Sequence, residues 1–217
     1  MTKGTAIIVG VGPGLGLAIA RTFAQAGHPV ALLARDAFRL AEHVTALADT
    51  GVTVRAFTTD AADGTALRGS IAAAIDELGA PDVLVYNAAL MRQDSPTDGD
   101  DEGWTAAFAV DVLGAKIAAE TVIPSLRDGK GSILFTGGGF ALYPTPDFAS
   151  MSAGKAALRA YVQTLHAAQT GTEVRVGQVM IAGSIGGPGG FDPAGLAESY
   201  LELHEQQDDS EWELLRS

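Results

Sequence analysis

From residue 5 onward, apolar runs of strand length alternate with segments of helical period, and no other feature of the chain restricts its fold as much. Thr5–Val9 is a continuous apolar run, the pattern of a strand buried on both faces. Residues 15–26 then place Leu15, Ile19, Thr22, Phe23 and Ala26 on one helical stripe, and Gly27 follows as a C-terminal stop. The same reading predicts strands at Val30–Ala34, 53–58, 83–86, 133–136, Val174–Ile181 and, last and shortest, 212–215. Helices are predicted from the N-cap Asp36 to Thr50, then over 63–78, 104–127 (Pro124 bending its end), 150–168 and 193–206. The acidic stretch 94–103 reads as a loop. Such alternation specifies an α/β chain, a doubly wound parallel sheet of about seven strands with helices on both faces. We expect one domain over residues 1–217.

Composition narrows the function classes. Apolar residues make up 47% and charged residues 18%, so the chain has a core and is not disordered. With 14 Lys and Arg against 26 Asp and Glu the formal charge is −12, a field that repels phosphate backbones and anionic lipid. Neither nucleic acid nor membrane is therefore expected as a partner. No cysteine is present, which excludes a disulfide scaffold or zinc-thiolate site and agrees with a reducing, cytoplasmic compartment. The glycine-rich N-terminus does not read as a signal peptide. His28, His43, His166 and His204 lack metal-ligand spacing, and the carboxylates Asp98, Asp100, Asp101 and Glu102 lack that of a calcium loop.

Chemistry enters at the first strand-to-helix turn, Gly10-Val11-Gly12-Pro13-Gly14-Leu15-Gly16. Gly10, Gly14 and Gly16 fit G-x-x-x-G-x-G rather than G-x-G-x-x-G. In either spacing the glycines permit a tight turn and close backbone approach, and the helix N-terminus offers free N–H groups to a pyrophosphate. Further along, Asp60 follows the third strand, Tyr86-Asn87-Ala88-Ala89 ends the fourth, Lys155 lies in a helix, and Ala182-Gly183-Ser184-Ile185 follows the sixth. In this order the motifs resemble the short-chain dehydrogenase/reductase family, with a Rossmann-like fold, over nearly all of the chain to about Gly187. The resemblance implies a nicotinamide cofactor held by Gly10, Gly12, Gly14, Leu15, Gly16, Arg35, Asp60, Ala61, Asn87, Ala88, Lys155, Gly183 and Ile185. Arg35 at the second strand end is where NADP binders of the family place arginine, so NADP(H) is favoured. Asp36 keeps NAD as the alternative, beside its simpler role as a helix N-cap.

The family's catalytic residues, by contrast, are largely missing. Placed residue by residue, the tyrosine position is Met151, four before Lys155; the serine position is Gly138; the asparagine position is Asp111. Methionine has no proton to give and glycine no hydroxyl. Lys155, Asp111 and Tyr143, a spare phenol in the loop 140–148, remain as catalytic candidates, Tyr143 reading more simply as an aromatic wall. The pattern is similar to an atypical branch of the family without the tyrosine. Two functions follow as expectations: an oxidoreductase of weak or non-standard activity on a small carbonyl or alcohol, or a non-catalytic dinucleotide-binding protein serving as redox-responsive partner or scaffold. A pure oligomerisation partner with an idle cleft is a third. The short segment between Gly183 and Pro193 predicts a small or open substrate pocket. Ala153, Ala156, Ala157 and Ala160, together with the family resemblance, imply a homodimer or homotetramer through the helices 104–127 and 150–168.

Overall fold

A computed structural model describes residues 3–206 and 212–217. Seven parallel strands form one sheet in the order β3-β2-β1-β4-β5-β6-β7. They are β1 (Thr5–Val9), β2 (Val30–Ala34), β3 (Val54–Thr58), β4 (Pro81–Tyr86), β5 (Gly131–Thr136), β6 (Val174–Ile181) and β7 (Glu213–Arg216). The helices are α1 (Leu15–Gln25), α2 (Ala37–Ala46), α3 (Gly64–Leu78), α4 (Asp101–Phe108), α5 (Ala115–Val122), α6 (Ala149–Gln169) and α7 (Pro193–Glu205).

The strands are apolar on both faces because both faces are covered. Ile8, Leu32, Val85 and Leu134 pack with Ile19 and Phe23 of α1 and with Tyr200 and Leu203 of α7. Their strand neighbours Ile7, Leu33, Leu84 and Ile133 face the other way, onto Ile71 of α3, Ala118 of α5 and Leu158 of α6. This is the expected doubly wound α/β fold. Between β1 and β4 the strand order reverses, and at such a switch the loops leaving the C-terminal strand ends splay apart into a crevice.

Two expected elements differ. The helix predicted from Trp104 begins at Asp101, inside the stretch read as loop: Asp100 caps it by accepting from the Gly103 N–H at 3.0 Å, and carboxylates in a first turn favour the helix dipole. Nor is it continuous to Arg127. A π-helical turn, Ala109–Gly114, separates α4 from α5, and short 3₁₀ turns at Ile123–Ser125 and Arg127–Gly129 end it. The cause lies in β4. The buried Tyr86 hydroxyl donates to the Val110 carbonyl at 2.5 Å, taking the acceptor that the residue-114 N–H would use in an α-helix. Gly114 is needed there because a β-carbon would meet the phenol. Likewise α2 stops at Ala46, with a 3₁₀ turn over Ala48–Thr50 before the left-handed Gly51.

At the N-terminal end of the sheet, His28 donates from Nδ1 to the Gly4 carbonyl at 2.9 Å, and His204 Nδ1 lies 2.9 Å from Ser132 Oγ. The rings meet edge-on at 5.4 Å. Burial holds both imidazoles below the usual value, His204 down to about 4, against the opposing pull of Asp82. Unfolded histidines titrate near 6.5, so below that pH the unfolded chain takes up protons that the folded chain refuses. Stability is therefore expected to fall as pH drops from about 6.5 toward 4, by about 2 kcal/mol at pH 5 from His204 alone. Urea midpoints at pH 7 and 5 measure it, and His204→Phe should flatten the dependence. An unchanged slope in the variant would assign the acid sensitivity elsewhere.

Candidate active site

Two adjoining cavities lie along the C-terminal strand ends. The smaller, about 340 Å³, is lined by Gly10, Gly12, Arg35, Asp36, Arg39, Asp60, Ala61, Asn87 and Ala88. The larger, about 700 Å³, is lined by Gly14, Leu15, Asn87, Gly138, Tyr143, Met151, Lys155, Gly183 and Ile185. Between them they gather every expected cofactor-binding residue except Gly16, which packs instead against the Gly10 carbonyl and Val11 where helix and strand touch.

The glycine turn divides by task. Gly10 has φ +93°, and its N–H donates to Leu33 at 2.8 Å, so the chain leaves β1 pinned against β2. A β-carbon at Gly10 would run into the Ala88 backbone, while at Gly12 or Gly14 it would meet nothing within 4 Å. Those two glycines are not required by the protein's own packing. Gly14 caps α1 with no side-chain bond; the Leu17 N–H donates back to the Gly12 carbonyl at 3.1 Å, and among the described residues no side chain takes the N–H groups of Leu15 and Gly16 before it. Open glycines beside an uncapped helix end are a cradle that suits a pyrophosphate.

Asn87 and Thr136 hold the cleft together from behind. Asn87 Nδ2 donates to the Gly10 carbonyl at 2.8 Å, and its Oδ1 accepts from Thr136 Oγ1 at 2.8 Å. The Thr136 hydroxyl has given its proton, so the buried Tyr200 hydroxyl must donate to it, at 2.7 Å. Lys155 Nζ then donates to the Thr136 carbonyl at 2.9 Å. Thr136 and Tyr200 were missed in the sequence; a threonine at a strand end was a usable sign, but nothing local marks Tyr200.

Lys155 is 4% exposed, a buried amine rather than a surface lysine. Burial lowers its pKa, and the Asp111 carboxylate pulls it back up. Asp111 sits in the π turn, lining neither cavity, with Oδ1 accepting from the Leu90 N–H at 2.9 Å and Oδ2 buried without a partner among the described residues. Burial raises its pKa and Lys155 opposes this. Met151, also buried, shares the cavity wall with Lys155. Gly138 is extended, and a β-carbon there would stand 3.7 Å from the Lys155 stem, an ordinary contact. Tyr143 reaches the larger cavity from its mouth and is 71% exposed.

Arg35 and Asp36 close the other end. Asp36 accepts from the Arg39 N–H at 3.1 Å and lies 3.4 Å from the Arg39 guanidinium. Arg35 is exposed and makes no ion pair among the described residues. Asp60 accepts from the Ala62 N–H at 2.9 Å, which stiffens the turn after β3.

A family model described as short chain dehydrogenase matches residues 4–186. The chain belongs to the short-chain dehydrogenase/reductase family. Among curated members, an uncharacterized oxidoreductase of Staphylococcus saprophyticus is 31% identical over 173 residues, 79% of this chain and 74% of that one. The 2-(S)-hydroxypropyl-CoM dehydrogenase 3 of Xanthobacter autotrophicus is 30% identical over 196 residues, 89% and 74% of the two chains. Of the solved structures, an alcohol dehydrogenase from the archaeon Thermococcus sibiricus, complexed with 5-hydroxy-NADP, superposes with TM-score 0.90 at 25% identity, covering 99% of this chain and 96% of that one. Gluconobacter frateurii L-sorbose reductase, complexed with NADPH and L-sorbose, reaches 0.92 at 23% identity over 100% and 96%, and shows the shared fold. No helix of the described residues is long and apolar enough to cross a membrane.

Proposed function

We propose that this family member binds a nicotinamide dinucleotide across the two cavities, prefers NADP(H), and acts as an oxidoreductase of weak or non-standard activity. When bound, the dinucleotide supplies hydride chemistry. The chain's part is to hold it: the Gly12 and Gly14 cradle takes the pyrophosphate, Asp60 and Ala61 the adenine side, and Lys155 the ribose hydroxyls with the N–H bonds that Thr136 leaves over. The Arg35 and Asp36 pair carries the cofactor preference. Asp36 is already engaged with Arg39, whereas Arg35 is free to meet a 2′-phosphate. A charge-assisted bond of this kind contributes about 1.5–3 kcal/mol, roughly ten- to a hundredfold in affinity. NADPH should accordingly bind more tightly than NADH by that factor in a nicotinamide-fluorescence titration, and Arg35→Ala should erase the difference. Equal affinities in the unmutated protein would refute the preference.

Met151 and Gly138 favour a second reading, a dinucleotide-binding protein without turnover, because neither can donate to a carbonyl oxygen. Steady-state assays with generic ketones and aldehydes at saturating NADPH separate the two readings.

We also propose a two-fold dimer, or a tetramer built from it, through α6 and the α4–α5 segment. Leu113 in the π turn is 57% exposed, and α6 presents the small residues Ala156 and Ala160 outward. Light scattering at micromolar concentration should give at least twice the 22.2 kDa chain mass, and a monomer mass would overturn it.

A further inference from the structure

We infer that the part of the larger cavity left beside the dinucleotide, walled by Met91, Phe140, Tyr143 and Met151, takes a neutral, apolar ligand rather than an acid, a phosphate ester or a sugar. The inference rests on the proposed dinucleotide cleft, whose nicotinamide end takes the Gly14, Lys155 and Gly183 side of this cavity. Six large apolar side chains stand exposed among the described residues, and three of them, Met91, Tyr143 and Ile185, line this one cavity. Behind them Phe140 and Met151 continue the apolar wall, and Phe140 is held by stacking on Phe148 at 5.3 Å. Two thioethers give that wall a soft, adaptable surface.

What the cavity lacks decides the class of ligand. Lys155 and Tyr143 are the only ionisable side chains in its lining, and the Lys155 amine is buried, bonded to Thr136, and in the proposed reading gives its remaining N–H bonds to the ribose. The Asn87 amide is occupied on both sides, by Gly10 and Thr136. A charged ligand would leave water and find few partners, which is costly. The smaller cavity is the internal contrast, since Arg35, Asp36, Arg39 and Asp60 line it. The strand-end loops also stay short here: Ile185 bridges to Phe191, and Phe191 N–H donates to Ser184 at 2.9 Å, so the segment folds into a compact turn beside the opening.

The test titrates the full chain, with and without saturating NADPH, using acetophenone and its charged counterpart 4-acetylbenzoate, by calorimetry. Acetophenone should bind at least about tenfold more tightly. Met91→Asp puts a carboxylate at the mouth on an exposed side chain, so folding is not at risk. It should weaken acetophenone by about tenfold while NADPH affinity stays within about twofold, and Met91→Leu should bind like the unmutated protein. Equal or tighter binding of 4-acetylbenzoate, no binding of either compound, or indifference to Met91→Asp would each overturn the inference. So would a fall in oligomeric mass in Met91→Asp, which would make the apolar rim a contact between copies. Acetophenone binding that follows the expected pattern in a protein that takes no NADPH would sustain the apolar cavity and refute the dinucleotide reading alone.

Discussion

Met151→Tyr combined with Gly138→Ser is expected to raise NADPH-dependent ketone reduction by about 10²–10⁴-fold in kcat/KM, the usual contribution of a positioned general acid. Both positions face the same cavity as Lys155, and Met151 lies one helical turn before it on α6. A tyrosine there would place its hydroxyl on the face that carries the amine. A serine at 138 enters without strain, because the backbone is extended and the added β-carbon makes only an ordinary contact with the Lys155 stem. Its hydroxyl would then point a donor at the substrate oxygen, a role commonly worth about 3–4 kcal/mol. Neither single change should give the full gain, since such groups act as a unit. The assay follows NADPH consumption with a neutral ketone. Robust reduction by the unmutated protein would refute the proposed weak or absent turnover, and Lys155→Ala and Tyr143→Phe would then locate the substitute acid.

The second large effect separates two glycines of one turn. Gly10→Val should destabilise the fold by about 4 kcal/mol or more, a large part of the net stability of a domain of this size. Its left-handed φ and its contact with the Ala88 backbone act together. Gly14→Ala should move the urea midpoint far less, because its β-carbon enters open space. Yet that methyl stands on the cradle itself, so NADPH affinity should fall by about tenfold or more. Normal NADPH binding in Gly14→Ala would show that the turn is not a pyrophosphate cradle.

The sheet was legible in the sequence because each inner strand is buried on two faces, which leaves unbroken apolar runs such as Thr5–Val9 and Val30–Ala34. The cleft was legible for the same local reason: glycines, Asn87 and Arg35 sit at strand ends, and strand ends converge at a switch point. What stayed hidden depends on partners far along the chain. The π turn is set by Tyr86, 24 residues before the carbonyl it takes, and residues 101–103 look like loop until Asp100 is seen capping them. The ordering of 94–103 is similar. Asp94 accepts from the Ser150 N–H, 56 residues away, and pairs with Arg92. Tyr200 reaches Thr136 across 64 residues, and nothing in the helical stripe of α7 distinguishes it from an ordinary core tyrosine.

The reversal of strand order between β1 and β4 has a kinetic meaning. Strands β1 to β3 pair among themselves, as do β4 to β7, and within the sheet the two groups join along the β1–β4 pairing, from Thr5 opposite Pro81 to Val9 opposite Tyr86. Closing that seam requires a long excursion of chain, and parallel pairings of this kind are the slow steps of folding. Until it closes, both halves present bare edges to other molecules, the state in which α/β chains aggregate. The Asn87 amide clasping the Gly10 carbonyl lies across this seam, and so does the cleft. Any small molecule lodged there binds only the completed sheet, and would act during refolding as a fastener between two half-built parts.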